Sequence, residues 1–500
     1  MKELLKKYEA YRREIITMQF VSYLINWDST TEAPDNCFGS RSECMGVISE
    51  KDFKYQTSKE NVELINMLYE RRDEITDAVL KHEIEVEKRE LDDILKMPME
   101  LVVEMDKILS QSAQIWAKAK NSSDFTLFAP TLERIIEIEK EMIKHLETDK
   151  CKGYDVLLNR FAYGMNMAQY DVFFNDLRRE LVPFVKAVTS KKIEGDFGFA
   201  NQSFPIEKQR EFCKYIMDVM CFDKTRGIMK ESEHPFTSGF GNSDVRVTVH
   251  YYPELFISSI YSAIHELGHA TYEQQVSDDL ELTMSGGCRS LALHESQSRF
   301  YENILGRSHQ FWETHFGKLK EIFADELKDV TLEQMYKFVN ISENTFIRTE
   351  ADELTYSLHI MLRYQIEREI FEEGLKVADL PRRWNELMKE YLNLDVKSDK
   401  EGVLQDVHWS GAMFGYFPTY ALGSAYSAQI FDTMNKDFDV LESLKNGNMK
   451  QVNNWLKEHL HKFGASKEAK ELFENTVGKP FDAMYYVNYL KEKYGKIYNI

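Results

Sequence analysis

From residue 60 to 150, apolar residues recur at steps of three and four, the spacing that lines one face of an α-helix. In "TLERIIEIEKEMIKHLE", Leu132, Ile135, Ile136, Met142, Ile143 and Leu146 fall on one stripe, which predicts a packing helix with Glu and Lys on its solvated face. Pro98 in "KMPME" should end one helix and begin the next, because proline lacks the N–H that a helix interior needs. Near the N-terminus, "WDSTTEAPDNCFGSRSE" is rich in turn formers and predicts a loop, with Ser40 capping the following helix.

The period changes at "DVRVTVHYY". Val245, Val247 and Val249 alternate with Arg246, Thr248 and His250, as in a short strand with one polar face. The stretch before it, "ESEHPFTSGFGNSDVRVT" (231 to 248), concentrates glycine and proline in a chain poor in both. Long loops of this kind in compact enzymes tend to be functional, so it is a candidate wall of a site. Helical patterning resumes by about Glu254 and continues, with interruptions, to the C-terminus, without internal repeats or low-complexity segments.

Composition supports one compact helical body over a string of modules. The 500 residues contain 10 prolines and 23 glycines, where average usage would give about 25 and 35. A formal net charge of -20 excludes a nucleic-acid partner, since phosphate binding needs a dense basic face. The charged start "MKELLKKYEAYRREIITMQF" lacks the apolar core of a signal peptide, and no apolar run reaches the roughly 18 residues of a membrane span. The expectation is a cytoplasmic enzyme. Cys37, Cys44, Cys151, Cys213, Cys221 and Cys288 show no C-x-x-C spacing and read as reduced thiols without a metal role.

The chemistry concentrates in "AIHELGHATYEQQ" (263 to 275). On a helix, His265 and His269 lie one turn apart on one face and can aim two imidazoles at one ion. Glu266 is placed to serve the attacking water without being a ligand, the mechanical content of an H-E-x-x-H helix. Glu273 continues the spacing but cannot be the third ligand: eight residues of helix rise about 12 Å, against a bond of about 2 Å. A short-spaced third histidine is also missing, since Tyr272 and Gln275 stand in its places. The third ligand must come from another element. "LALHESQSRFYEN", a helix beginning near residue 290 after Gly286 and Gly287, offers His294 and Glu295. A His, His, Glu set leaves one open position, the catalytic arrangement, which favours Glu295.

Six segments now stand in order: "HPF" (234 to 236), "DVRVT" (244 to 248), "HELGH" (265 to 269), "HESQ" (294 to 297), "IRTEAD" (347 to 352) and "GVLQDVHW" (402 to 409). With "WDSTTEAP" near the start and "GYFPTYALGSAYSAQIF" near the end, the chain resembles the carboxypeptidase Taq family of zinc metallocarboxypeptidases over nearly its whole length. One departure is His250, where the family commonly has arginine.

The resemblance implies an all-α, predominantly helical fold with a deep central groove, a small strand element beside the zinc, and a homodimer. It implies one domain over 1–500, in which 1–230 covers the groove and 231–500 carries the zinc site. It also implies His265, His269 and Glu295 as ligands of one Zn2+ ion, for which Co2+ could substitute, and Glu266 as the catalytic carboxylate. His408 and Tyr420, with Tyr416 beside them, resemble the oxyanion donors of other helical zinc peptidases, although buried Tyr and His are often simply satisfied core groups.

An exopeptidase must bind the free C-terminus of its peptide substrate, for which a forked guanidinium is suited. Arg348 is preferred over a salt-bridge role to Glu350, Asp352 or Glu353, and Arg246 is either a second clamp or a partner of Asp244. A zinc oligopeptidase cutting internally is the alternative enzyme. A non-catalytic scaffold would show a damaged H-E-x-x-H or a lost Glu295, and neither is seen.

Overall fold

A computed structural model describes residues 1–500, the side chain of Asp35 excepted. The N-terminal helices are α1 (Lys2–Thr31), α2 (Phe38–Gln56), α3 (Lys59–Glu70), α4 (Ala78–Lys96), α5 (Met99–Ser122), α6 (Ala129–Leu146), α7 (Tyr154–Phe161), α8 (Met167–Thr189) and α9 (Ile206–Val219). Three short strands follow, β1 (Gly227–Glu231), β2 (Thr237–Gly239) and β3 (Val245–Val249). The remainder is α10 (Phe256–Gln275), α11 (Leu291–Arg299), α12 (His309–Ile322), α13 (Leu332–Phe338), α14 (Tyr356–Arg368), α15 (Leu380–Leu392), α16 (Pro418–Met434), α17 (Val440–Lys445), α18 (Met449–His459), α19 (Ala469–Val477) and α20 (Met484–Tyr498). Among the described residues, no helix is long and apolar enough to cross a membrane.

The apolar stripes become buried faces. On α6, Leu132, Ile135, Ile136 and Ile143 are buried, and Pro98 stands between α4 and α5 as the N-cap of the latter. Tyr8, Tyr11 and Ile15 of α1 pack with Leu64, Ile65 and Leu68 of α3 and Ile84 and Leu91 of α4 in a small core. A much larger core runs from Met105 on α5 to Tyr498 on α20.

Two local expectations change. Helix α1 continues through "WDSTT" to Thr31, because the hydroxyls of Thr30 and Thr31 fold back onto the carbonyls of Asn26 and Trp27, both at 2.8 Å, and leave the backbone helical. Ser40 is not a cap: α2 already starts at Phe38, and the Ser40 hydroxyl donates to Cys37 O at 3.0 Å.

The sheet order is β1-β3-β2, with β1 parallel and β2 antiparallel to β3. Val245, Val247 and Val249 are completely buried, on the face of β3 that packs against α10. The other face is covered as well. Thr248 is fully buried, its hydroxyl bonded to Ser232 Oγ at 2.7 Å and to Phe236 N at 2.9 Å. Thr237 pairs with Val247 and therefore shares its face, toward α10.

Helix α11 passes between α10 and α16 at two glycines. A Cβ on Gly268 of α10 would meet Ser298 Cα at 2.8 Å, and one on Gly423 of α16 would meet Glu295 Cβ and Cγ at 2.8 Å. Gly423→Ala should therefore push Glu295 aside. The expected cost is about 1–3 kcal/mol of stability, as for other overpacked cores, with weaker metal retention; calorimetry and metal analysis of the purified variant would check it.

Candidate metal centre and active site

Helix α10 presents His265 and His269 one turn apart, and α11 brings Glu295 against them. One ligand atom from each residue lies within 4.8 Å of the others. Glu295 Oε2 is 3.8 Å from His265 Nε2 and 3.6 Å from His269 Nε2. These distances are too long for hydrogen bonds, yet close to the roughly 3.4 Å edge of a tetrahedron built on bonds of about 2.0–2.1 Å. Three donor atoms, two on partly buried imidazoles and one on a buried carboxylate, thus converge without satisfying one another, which fits a divalent ion.

Two of the three, His265 and Glu295, are held from behind, while His269 Nδ1 is buried without a hydrogen-bond partner. His265 Nδ1 lies 2.8 Å from Glu302 Oε2; a carboxylate only accepts, so the ring N–H is at Nδ1 and the Nε2 lone pair faces the trio. Glu295 Oε1 accepts from Arg299 Nε at 2.7 Å. Arg299 Nη1 also reaches Glu302 Oε2 at 3.4 Å, and Arg307 Nη2 reaches Glu302 Oε1 at 3.4 Å. Burial opposes charge on Glu302, but Arg299, His265 and Arg307 together hold it well below the ordinary carboxylate range. Burial, with His294 and His265 adding to it, keeps His269 well below the usual imidazole value, hence neutral and able to offer a lone pair.

His294 is directed elsewhere: its Nε2 is 2.9 Å from Glu273 Oε1, while its ring stacks on His269 at 4.3 Å. Glu273 is accordingly absent from the trio and engaged one turn further along α10.

Glu266 is buried, 7% exposed, beside these groups. The Thr237 hydroxyl lies 2.7 Å from its Oε2 and 2.8 Å from its carbonyl, so β2 fixes the carboxylate. Burial raises the Glu266 pKa, partly offset by His265 and the Thr237 bond, which brings a carboxylate closer to the range useful for proton transfer. Thr237 lies in the stretch 231 to 248 expected to wall the site, but nothing in its own neighbours marks it. A cleft of about 640 Å³ runs past Thr237, Gly239, His294 and Gly287, with Ile16 and Phe20 of α1 opposite.

On the other side stand Arg348, His408, Tyr416 and Tyr420. Arg348 is 7% exposed. Its Nε and Nη2 lie 3.0 and 2.9 Å from Asp406 Oδ1, and its Nη1 donates to the Tyr356 hydroxyl at 3.0 Å. A guanidinium has five N–H groups, so two remain. Its acidic partner is Asp406, not Glu350, Asp352 or Glu353. Asp406 is also forked by Arg363, a fully buried arginine, through Nε at 2.7 Å. Burial disfavours this carboxylate's charge, but Arg363 and Arg348 keep it well below its usual pKa.

The Tyr420 ring lies 5.2 Å below the Arg348 guanidinium, 5.3 Å from Tyr416 and 6.3 Å from His408. Burial, then nearby phenols and Glu295, raise the Tyr420 pKa, and both tyrosines stay protonated donors at neutral pH. Burial brings His408 down to about 4 against the opposing pull of Asp406, so it too is neutral.

Arg246 is separate from this cluster. It forks Asp244 at 2.7 and 2.8 Å and lies over the rings of Tyr23 and Trp27 of α1. Tyr356 ties the two halves of the site, because Arg299 stacks on its ring at 4.2 Å while its hydroxyl receives Arg348. Arg299, Glu302, Asp406, Arg363 and Tyr356 were all missed from the sequence. Only the 295, 299, 302 spacing, one face of a helix, carried a signal.

Residues 7–494 match the family described as carboxypeptidase Taq (M32) metallopeptidase. The chain is 38% identical to carboxypeptidase 1 of Bacillus subtilis, over 99% of this chain and 97% of that protein. It is 33% identical to thermostable carboxypeptidase 1 of Pyrococcus furiosus, over 99% and 98%. Among solved structures, the M32 carboxypeptidase from Deinococcus radiodurans R1 superposes with a TM-score of 0.95 at 30% identity, covering all of both chains.

Proposed function

The chain belongs to the carboxypeptidase Taq (M32) metallopeptidase family and is a metallocarboxypeptidase, and we propose that it holds one zinc ion on His265, His269 and Glu295 and removes residues from the free C-terminus of peptides. The convergence of two imidazoles and a carboxylate beside the buried Glu266 carries this reading. That donor set suits zinc, with cobalt an acceptable substitute. When bound, the ion supplies Lewis-acid polarisation of the scissile carbonyl and a lowered pKa, near about 7, for water.

The chain's own residues do the rest. Glu266, its Oε2 anchored by Thr237, takes a proton from the attacking water and returns it to the departing amine. Tyr420, with His408 and Tyr416 at its side, donates to the oxygen on which negative charge develops; burial keeps the two phenols protonated and His408 neutral, with a single ring N–H. Arg348 receives the substrate's C-terminal carboxylate through the two N–H groups that Asp406 and Tyr356 leave free. Arg246, satisfied by Asp244 and packed on α1, is read as bracing the strand.

The family resemblance and the acidic composition support a cytoplasmic homodimer, in which residues 1–230 cover the groove and residues 231–500 carry the metal.

An internally cutting zinc oligopeptidase would use the same water and donors but not Arg348. Converting a peptide's C-terminus to an amide should lower kcat/KM by about 10²-fold or more, and Arg348→Ala should lower it similarly for free acids while leaving the poor turnover of amides unchanged. Equal rates on acid and amide would overturn the exopeptidase reading.

A further inference from the structure

Glu367, in the last turn of α14, is fully buried and takes no part in the steps above. Its carboxylate receives three hydrogen bonds. The Tyr154 hydroxyl and the Gly415 N–H donate to Oε2 at 2.6 and 2.7 Å, and the Trp409 indole N–H donates to Oε1 at 2.8 Å. Trp409 follows His408 directly, and Gly415 precedes Tyr416. The carboxylate therefore ties both ends of the 408–416 segment, which leads straight into the first turn of α16 and Tyr420. The segment has little room to move, since Gly415 has a φ of +84° and a Cβ there would meet Leu157 O at 2.5 Å.

We infer that Glu367 is a positioning residue for the hydrolysis, holding His408, Tyr416 and Tyr420 where the charge on the scissile carbonyl oxygen develops. This rests on reading those three residues as the oxyanion donors. The chemistry at Glu367 calls for a carboxylate. The indole and backbone N–H groups can only donate; burial raises the Glu367 pKa to about 7 against these bonds, and it is the ionised form that offers acceptors to all three partners at once. A glutamine has one oxygen and one NH2; however it turns, its NH2 faces either Trp409 Nε1–H or Gly415 N–H. One bond is then replaced by a donor facing a donor, at unchanged side-chain size.

Glu367→Gln in the full metal-loaded enzyme should lower kcat by about 10- to 100-fold, a fraction of what losing an oxyanion donor outright costs. KM and metal content should change by less than about threefold. The inhibition constant of a phosphinic, tetrahedral peptide analogue should rise in step with the fall in kcat/KM, while that of a product amino acid stays put. A merely structural role would lower the active fraction or the melting temperature without separating these two inhibitors. That result, or an unchanged kcat, overturns the inference.

If Glu367→Gln does not fold, Trp409→Phe decides, because it removes one donor and leaves the carboxylate intact. About a 3- to 10-fold fall in kcat with the same inhibitor split is expected, and an unchanged kcat overturns the inference. Tyr420→Phe and His408→Ala separate the two ideas. If they leave kcat intact, the donor reading itself fails. If they lower it and neither Glu367→Gln nor Trp409→Phe does, only the role of Glu367 fails.

Discussion

Glu266→Gln is expected to lower kcat by about 10³-fold or more, with the metal still bound at one ion per chain. Glutamine keeps the shape of the side chain and can still accept from Thr237, but it cannot take a proton from the attacking water or return it to the amine. Two separate proton transfers therefore lose their carrier. Because Glu266 is not one of the converging ligands, metal analysis should find no loss and KM should shift little. Burial has already raised this carboxyl above its ordinary pKa, so the wild-type rate should fall on the acid side of its pH profile, where Glu266 becomes protonated and ceases to be a base. The glutamine variant should lack that limb. A variant retaining more than about a tenth of the wild-type kcat would remove Glu266 from the reaction.

Glu295→Gln should fail differently. Here the expected loss is of the ion itself, at least about 100-fold in affinity, the upper end of what supporting groups behind a ligand contribute. The neutral amide withdraws the one anionic donor from between His265 and His269 and leaves Arg299, stacked on Tyr356, with Glu302 as its remaining acidic partner. Activity should vanish at trace metal and recover in part as zinc is added, and the rise in melting temperature that zinc gives the parent should shrink, since only binding to the folded state produces it. Competition against a chelating dye measures the affinity directly. If the variant binds zinc as tightly as the parent, His294 or another group completes the set.

The sequence carried the local half of this site. His265, Glu266 and His269 sit on one helix whose geometry is fixed by spacing alone, and helix rise was enough to dismiss Glu273. Between His294 and Glu295 spacing could not choose. In the structure Gly423 admits Glu295 against α16 and beside the two histidines, while His294 turns to Glu273. Glu302 lies on the same helical face as Glu295 and Arg299, but it falls in a wider π-helical turn, Phe300–Leu305, so the histidine it would orient was not readable from α-helical spacing.

Asp406 meets Arg348 and Arg363 across 58 and 43 residues of chain, and nothing in any of the three neighbourhoods marks such a pairing. The strands β1 and β2 are too short, and "GIMKE" and "TSG" too weakly alternating, to be told from loop. The register of β2 with β3 is nonetheless what delivers Thr237 to Glu266.

Tyr356 has a consequence for the size of each bite. Its ring carries Arg299, which grips Glu295, and its hydroxyl receives Arg348. The proposed anchor for a peptide's terminal carboxylate and the proposed metal site are thereby joined through one aromatic ring as spacer, by side-chain packing. With Arg348 as that anchor, the spacer acts as a ruler. On these proposed roles, its fixed length would set how far from the terminal carboxylate a peptide is cut.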